Sequence, residues 1–111
     1  MSTHIVCTPI SADGQVGHSW GRAQTLALAG VEGREITSWR TERVDWDVSK
    51  DQVSEGRHHA RVAAFIRGNA VTTVVARHMG DDMERMLTKL GVTVRLGIAG
   101  DARSAVISVC E

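Results

Sequence analysis

Tyrosine is absent from this 111-residue chain, phenylalanine and proline occur once each, and cysteine only twice. So few aromatic rings leave few platforms on which bases could stack, which disfavours a nucleic-acid surface. Net charge is missing too: thirteen Lys and Arg balance thirteen Asp and Glu. No overall positive field exists to hold a polyanion, although local patches survive such a balance. No apolar run reaches the ~18 residues of a membrane span, and the opening residues lack a signal peptide's charged region and apolar stretch. The cytoplasm is therefore the expected location. There Cys7 and Cys110 are expected as free thiols, too far apart for a CxxC-type metal knuckle.

What is present is ordinary for a globular protein: 42% apolar and 23% charged residues, in a length that suits one domain over 1–111. The segment "THIVCTP", closed by the only proline, reads as a buried strand. The glycine-rich "ISADGQVGHSWGRA" that follows is too irregular for a regular element and long for a loop, a combination often tied to function. The segments "QTLALAGV" and "REITSWRTERV" flank "EG" and read as a hairpin, with Ile36 and Trp39 alternating imperfectly. The polar "DWDVSKDQVSEG" reads as a connecting loop.

From Arg57 the period becomes helical. Val62, Phe65 and Ile66 recur on one face, and Gly68 and Asn69 supply a C-terminal cap. The β-branched "AVTTVVA" is a strand. "DDMERMLTKLG" is a helix whose Asp81 and Glu84 stand at capping-box spacing, so that Asp81 is expected to cap it. "VTVRL" is a strand, and Asp101 heads a last helix with Ala105, Val106 and Val109 on one face. The expected order is β-β-β-α-β-α-β-α. A meander followed by two right-handed crossovers gives an α/β fold with one mixed five-stranded sheet, strand order 3-2-1-4-5 and helices on its faces.

In open α/β sheets ligands sit beyond the carboxyl ends of the strands, where the connections diverge. Here "THIVCTP" and "AVTTVVA" end at that edge, and so the stretch "VVARHMGDDM" (residues 74–83) lies on it. As a junction it suits a ligand cradle, a metal site or a simple helix start. The glycine-rich loop brings His18 to the same rim, and a helix start brings His58 or His59. Adjacent residues point to different sides of a helix, so at most one of that pair faces a site. The candidate cofactor-binding residues are His18, His58, His78, Met79 and Gly80, with His18 and His78 as candidate metal ligands. Imidazole and thioether donors suit borderline and soft transition metals and iron–sulfur clusters, and helix N-termini add N–H donors that favour an anion. Cys7, in mid-strand, reads as an inert core thiol, Met83 and Met86 as core, and Trp20, Trp39 and Trp46 as core or interface.

The opening strand "HIVCTP", the loop "GQVGHSWGRAQTLAL", the helix "EGRHHARVAAFI" and "VVARHMGDDMERMLTKLGVTVRLGIAGDARSAV" together span nearly the whole chain. In order and spacing they resemble the dinitrogenase iron–molybdenum cofactor biosynthesis domain family, whose fold is ribonuclease H-like. The resemblance implies a carrier or assembly protein for iron–sulfur or iron–molybdenum cofactor precursors, not an enzyme. Its expected partners are the metallocluster cargo and cofactor-assembly or acceptor proteins, with no nucleic acid and no membrane, and a homodimer is compatible with it. His18 carries over from the family's His-Phe-Gly-Arg-Ala segment, here with Ser19 inserted and Trp20 in place of phenylalanine. The "RHMGDD" turn departs from the family's glycine-rich form and is bulkier.

Two other classes fare worse. A ribonuclease H-like nuclease needs strand-end carboxylates to hold two magnesium ions roughly 4 Å apart, and Ile5, Val6, Cys7 and Thr8 offer none. No Ser-His-Asp or Cys-His spacing supports nucleophilic catalysis. The remaining rival is a metal-free regulatory module that binds a small anion or a protein.

Overall fold

The computed structural model describes residues 3–110. Strand β1 (Thr3–Pro9) lies at the centre of the sheet. Its middle residues Val6, Cys7 and Thr8 are fully buried, which is why it reads as a continuous apolar run and not as an alternation. It pairs antiparallel with β2 (Thr25–Glu32), which in turn pairs antiparallel with β3 (Glu35–Arg43). On its other side β1 runs parallel to the short β4 (Thr73–Val75), and β4 parallel to β5 (Thr93–Arg95). The order β3-β2-β1-β4-β5 is the expected one.

The imperfect alternation of β3 has a physical cause. Between Gly30 and Val31 the register shifts: Gly30 faces Ser38 but Val31 faces Ile36, leaving Thr37 as an extra residue. A bulge of this kind turns Ile36 and Trp39, three apart, onto one face, and both pack on the same cluster. A Cβ at Gly30 would come within 2.5 Å of Ser38 Oγ, so a larger residue there would displace that hydroxyl. The Gly30 N–H donates to that same hydroxyl at 3.1 Å.

Helices α2 (Glu55–Gly68), α3 (Asp81–Lys89) and α4 (Ala102–Ser108) stand where periodicity places them. One further helix, α1 (Trp46–Gln52), lies within the segment expected to be a loop. It has no amphipathic signal: Trp46 is its one buried hydrophobic residue, and Val48 is 52% exposed. Tertiary hydrogen bonds hold it instead, with Asp45 N–H donating to Gln24 C=O and Trp46 N–H to Ala23 C=O. The apolar residues of α1, α2 and α3 join Cys7, Trp20, Leu26, Leu28 and Val74 in one cluster. The other sheet face is covered by α4, whose Ala102, Ala105 and Val106 pack with Val6, Ala29, Val31 and Val75.

The caps correct one expectation. Asp101 does cap α4, its carboxylate accepting from Ser104 N–H at 2.9 Å and from the Ser104 hydroxyl. In α3, however, the N-cap is Gly80, with no side-chain cap, and Asp81 is the first helical residue. The chain enters the helix one residue earlier than capping-box spacing implies, and so Asp81 acts only through the helix dipole. Those same Ser104 bonds hold the Asp101 carboxyl below its ordinary range. A depressed folded-state value stabilises the fold above the ordinary carboxylate range, and this contribution disappears as pH falls through the lowered value. Replacing Asp101 with alanine is expected to lower Tm by a few degrees at neutral pH. The gap should narrow in acid, while Asp81→Ala changes Tm less. Thermal unfolding of both variants across a pH series checks this.

Candidate functional site

The glycine-rich loop leaves β1 at its carboxyl end and is tied down along its length. Ile10 N–H donates to Thr25 C=O, Val16 N–H to Gly100 C=O at 2.8 Å, and Gly17 N–H back to Pro9 C=O at 2.7 Å. The last contact is so close that a Cβ on Gly17 would stand 3.1 Å from Pro9 Cβ and 3.2 Å from its carbonyl carbon. Three residues on, the fully buried Trp20 donates its backbone N–H to His78 C=O at 3.2 Å. The loop is thereby fastened to the junction between β4 and α3, with His18 two residues from the bond and His78 at it.

The third wall comes from α2. Ser54 caps this helix, accepting from Arg57 N–H, and its buried stripe is His58, Val62 and Ile66. Trp46 of α1 fills the space between the Trp20 ring, 5.3 Å away by centroids, and the His58 ring, 5.9 Å away, edge-on to both. With His58 turned inward, His59 points outward, its Nε2 3.8 Å from Glu55 Oε1.

These three walls enclose an open cleft of about 610 Å³. The loop contributes His18, Ser19, Gly21 and Arg22; α2 contributes Glu55 and His59; the β4–α3 junction contributes His78, Gly80, Asp81, Asp82, Met83 and Arg85. Three imidazoles from three separate elements thus share one cavity. Among the described residues no group of three or more His, Cys, Asp or Glu stands close enough to hold a single metal ion.

Of the residues singled out in the sequence, His18, His78 and Gly80 line this cleft. Two do not. His58 is fully buried against Trp46, so the outward member of the pair is His59. Met79 is 4% exposed and belongs to the core, not to the rim. Past the end of β4 the chain bends at Arg77, leaving Arg77 and His78 exposed and Met79 buried. The methionine that lines the cleft is Met83, which is also a core residue. Gly80 has φ −66° and free space where a Cβ would sit, so the turn into α3 does not need glycine; its smallness only keeps the cleft open. Arg22, Glu55 and Arg85 were missed, since exposed charges on a loop and two helices carry no periodic signal.

Cys7 is fully buried and its thiol is pushed far up by loss of hydration. Cys110 is partly exposed, and burial raises its thiol less far. Neither lines the cleft, and no described helix is long and apolar enough to cross a membrane.

The family model described as dinitrogenase iron-molybdenum cofactor matches residues 2–111. No curated protein matches. Among solved structures, PH0822 superposes with a TM-score of 0.73 at 19% identity, over 95% of this chain and 89% of its own. The apo form of the orange protein from Desulfovibrio gigas gives 0.69 at 19%, covering 93% and 83%. MJ0327 from Methanocaldococcus jannaschii gives 0.64 at 14%, covering 98% and 88%. At such identities these three likenesses concern the fold.

Two outcomes follow from the geometry. Gly17→Ala forces a methyl group against Pro9 and is expected to cost roughly 1–3 kcal/mol, with the His18 imidazole resonances shifting in NMR spectra while those of the distant His4 stay in place. Thiol alkylation of the native protein should modify Cys110 slowly and leave Cys7 untouched until denaturant is added, as peptide mass mapping would show.

Proposed function

The chain belongs to the dinitrogenase iron-molybdenum cofactor family, and on that premise we propose that it is a non-catalytic carrier or assembly protein for a metal–sulfur cofactor precursor. The observation that carries this reading is the convergence of His18, His59 and His78 on one open cleft. Imidazole nitrogens are donors for iron and other borderline transition metals. A wide, three-walled cleft suits a cluster that brings its own sulfides and needs only a few protein ligands.

Catalysis finds little support. No carboxylate stands in β1 for two-metal phosphodiester hydrolysis. Cys7, the thiol nearest the site in sequence terms, is sealed in the core with its deprotonation disfavoured. His18 and His78 are exposed rather than enclosed with a nucleophile. Residues that bind and release without bond making to a substrate's carbon or phosphorus framework fit the surroundings better. Acceptor or assembly proteins would meet the cargo at this open edge, and the cytoplasm is the compartment that such a role implies.

Anaerobic reconstitution with iron and sulfide tests the reading. The parent is expected to gain visible absorbance with stoichiometric iron. His18→Ala, His59→Ala and His78→Ala should each weaken cluster retention by about tenfold with Tm nearly unchanged. Met79→Ala, by contrast, removes a core side chain and is expected to cost about 2–5 kcal/mol, without a specific effect on the cluster while the protein stays folded. A colourless parent that retains no metal would instead favour a metal-free regulatory module.

A further inference from the structure

The walls of the cleft do not make an anion trap. Counting only arginines and carboxylates, Arg22 and Arg85 stand against Glu55, Asp81 and Asp82, two positive charges against three negative. Both arginines are also engaged already, Arg22 with Asp51 at 3.2 Å and Arg85 with Asp82 at 3.5 Å. The helix starts add no surplus. The first turn of α2 contains Glu55, and that of α3 contains Asp81, Asp82 and Glu84. Carboxylates there offset the partial positive charge of roughly half a unit at a helix N-terminus. The expectation that the start of α3 favours an anion therefore fails on its own first turn. What the cleft offers beyond balanced charge is three imidazoles.

We infer that the cleft takes metal–sulfur species through an exchangeable coordination position on the metal, and not through their overall negative charge. This rests on the carrier reading above and narrows its cargo to clusters with at least one labile ligand. On docking, an imidazole lone pair forms a bond to the metal, and the labile thiolate leaves with its own electron pair. No electron is gained or lost, and the departing thiolate takes its proton from solvent. A thiometallate closed by sulfide on every side has no such ligand to give up, and meets only a wall without net positive charge.

Anaerobic equilibrium dialysis separates the two modes, with iron and molybdenum measured on each side of the membrane. The probes are a four-iron cluster capped by small exchangeable thiolates, and tetrathiomolybdate, a dianion with no exchangeable ligand. Each is tested at low and high salt with the parent and with a His18→Ala/His78→Ala variant. Both replaced side chains are exposed, so the variant is expected to fold, which circular dichroism confirms. The expected result is that the thiolate-capped cluster binds the parent at least about tenfold more tightly than tetrathiomolybdate. Its affinity should change little with salt, as coordination is not screened as surface charge is, and should fall by well over tenfold, to about a hundredfold, in the variant. If tetrathiomolybdate binds as tightly as the cluster, weakens steeply with salt and ignores the double substitution, the inference is overturned while the carrier reading stands. If neither probe binds the parent, both fall together.

Discussion

A single backbone hydrogen bond, from Trp20 N–H to His78 C=O, decides where the chemistry of this chain can sit. It joins the glycine-rich loop after β1 to the turn after β4, two segments that leave neighbouring parallel strands at the same sheet edge. The bond is anchored because the Trp20 ring is fully buried and packs on Trp46, which packs in turn on His58 of α2. Burial of a large aromatic side chain contributes on the order of 2–3 kcal/mol, enough to hold a loop that has no regular structure of its own. One aromatic stack thus fixes the loop, the strand–helix junction and α2 relative to each other. The outward side chains of those three elements, His18, His78 and His59, line one cleft as a consequence.

The same constraint explains which residues serve the core and which serve the cleft. After β4, His78 is exposed while Met79 is buried in the core cluster that also holds Leu87 and Val92. On α2, the inward His58 turns His59 outward. Each adjacent pair divides its labour between core and cleft. Met83 does both jobs, since the face of α3 that packs inward also meets the cleft floor. The acids of the first turns are placed as helix electrostatics favours, and the result is a cleft whose fixed charges nearly cancel. An electrically balanced pocket with imidazole donors is a different device from an electropositive groove. On the inference drawn above, it would discriminate by what a metal can coordinate.

Most of the architecture was legible in the chain. The β-branched strands, the cap at Asp101 and the helical stripe of Val62, Phe65 and Ile66 are local signals, and crossover handedness turns them into one sheet order. The elements that sequence reading misplaced are those held by distant partners. Helix α1 has one buried anchor and borrows its hydrogen bonds from residues 23 and 24. The bulge opposite Gly30 breaks the two-residue period of β3, and α3 begins at Asp81 itself, with Gly80 as N-cap and no side-chain cap. In the site, His18, His78 and Gly80 were legible because topology alone brings their segments to the sheet edge. The inward turns of His58 and Met79 depend on the rotation of α2 against Trp46 and on the exit angle of β4, which no local pattern encodes.

The central claim is that the three histidines of this cleft hold a metal–sulfur cargo. The most direct measurement is an NMR map of the backbone amides and histidine rings as an anaerobically prepared, paramagnetic iron–sulfur cluster is added in substoichiometric steps. The account predicts progressive broadening centred on His18, His59, His78 and Gly80, fading with distance and leaving the β2–β3 turn around Gly33, at the opposite end of β1, sharp. Broadening centred on that opposite end, or none at all at the cleft when iron is demonstrably bound, would contradict it.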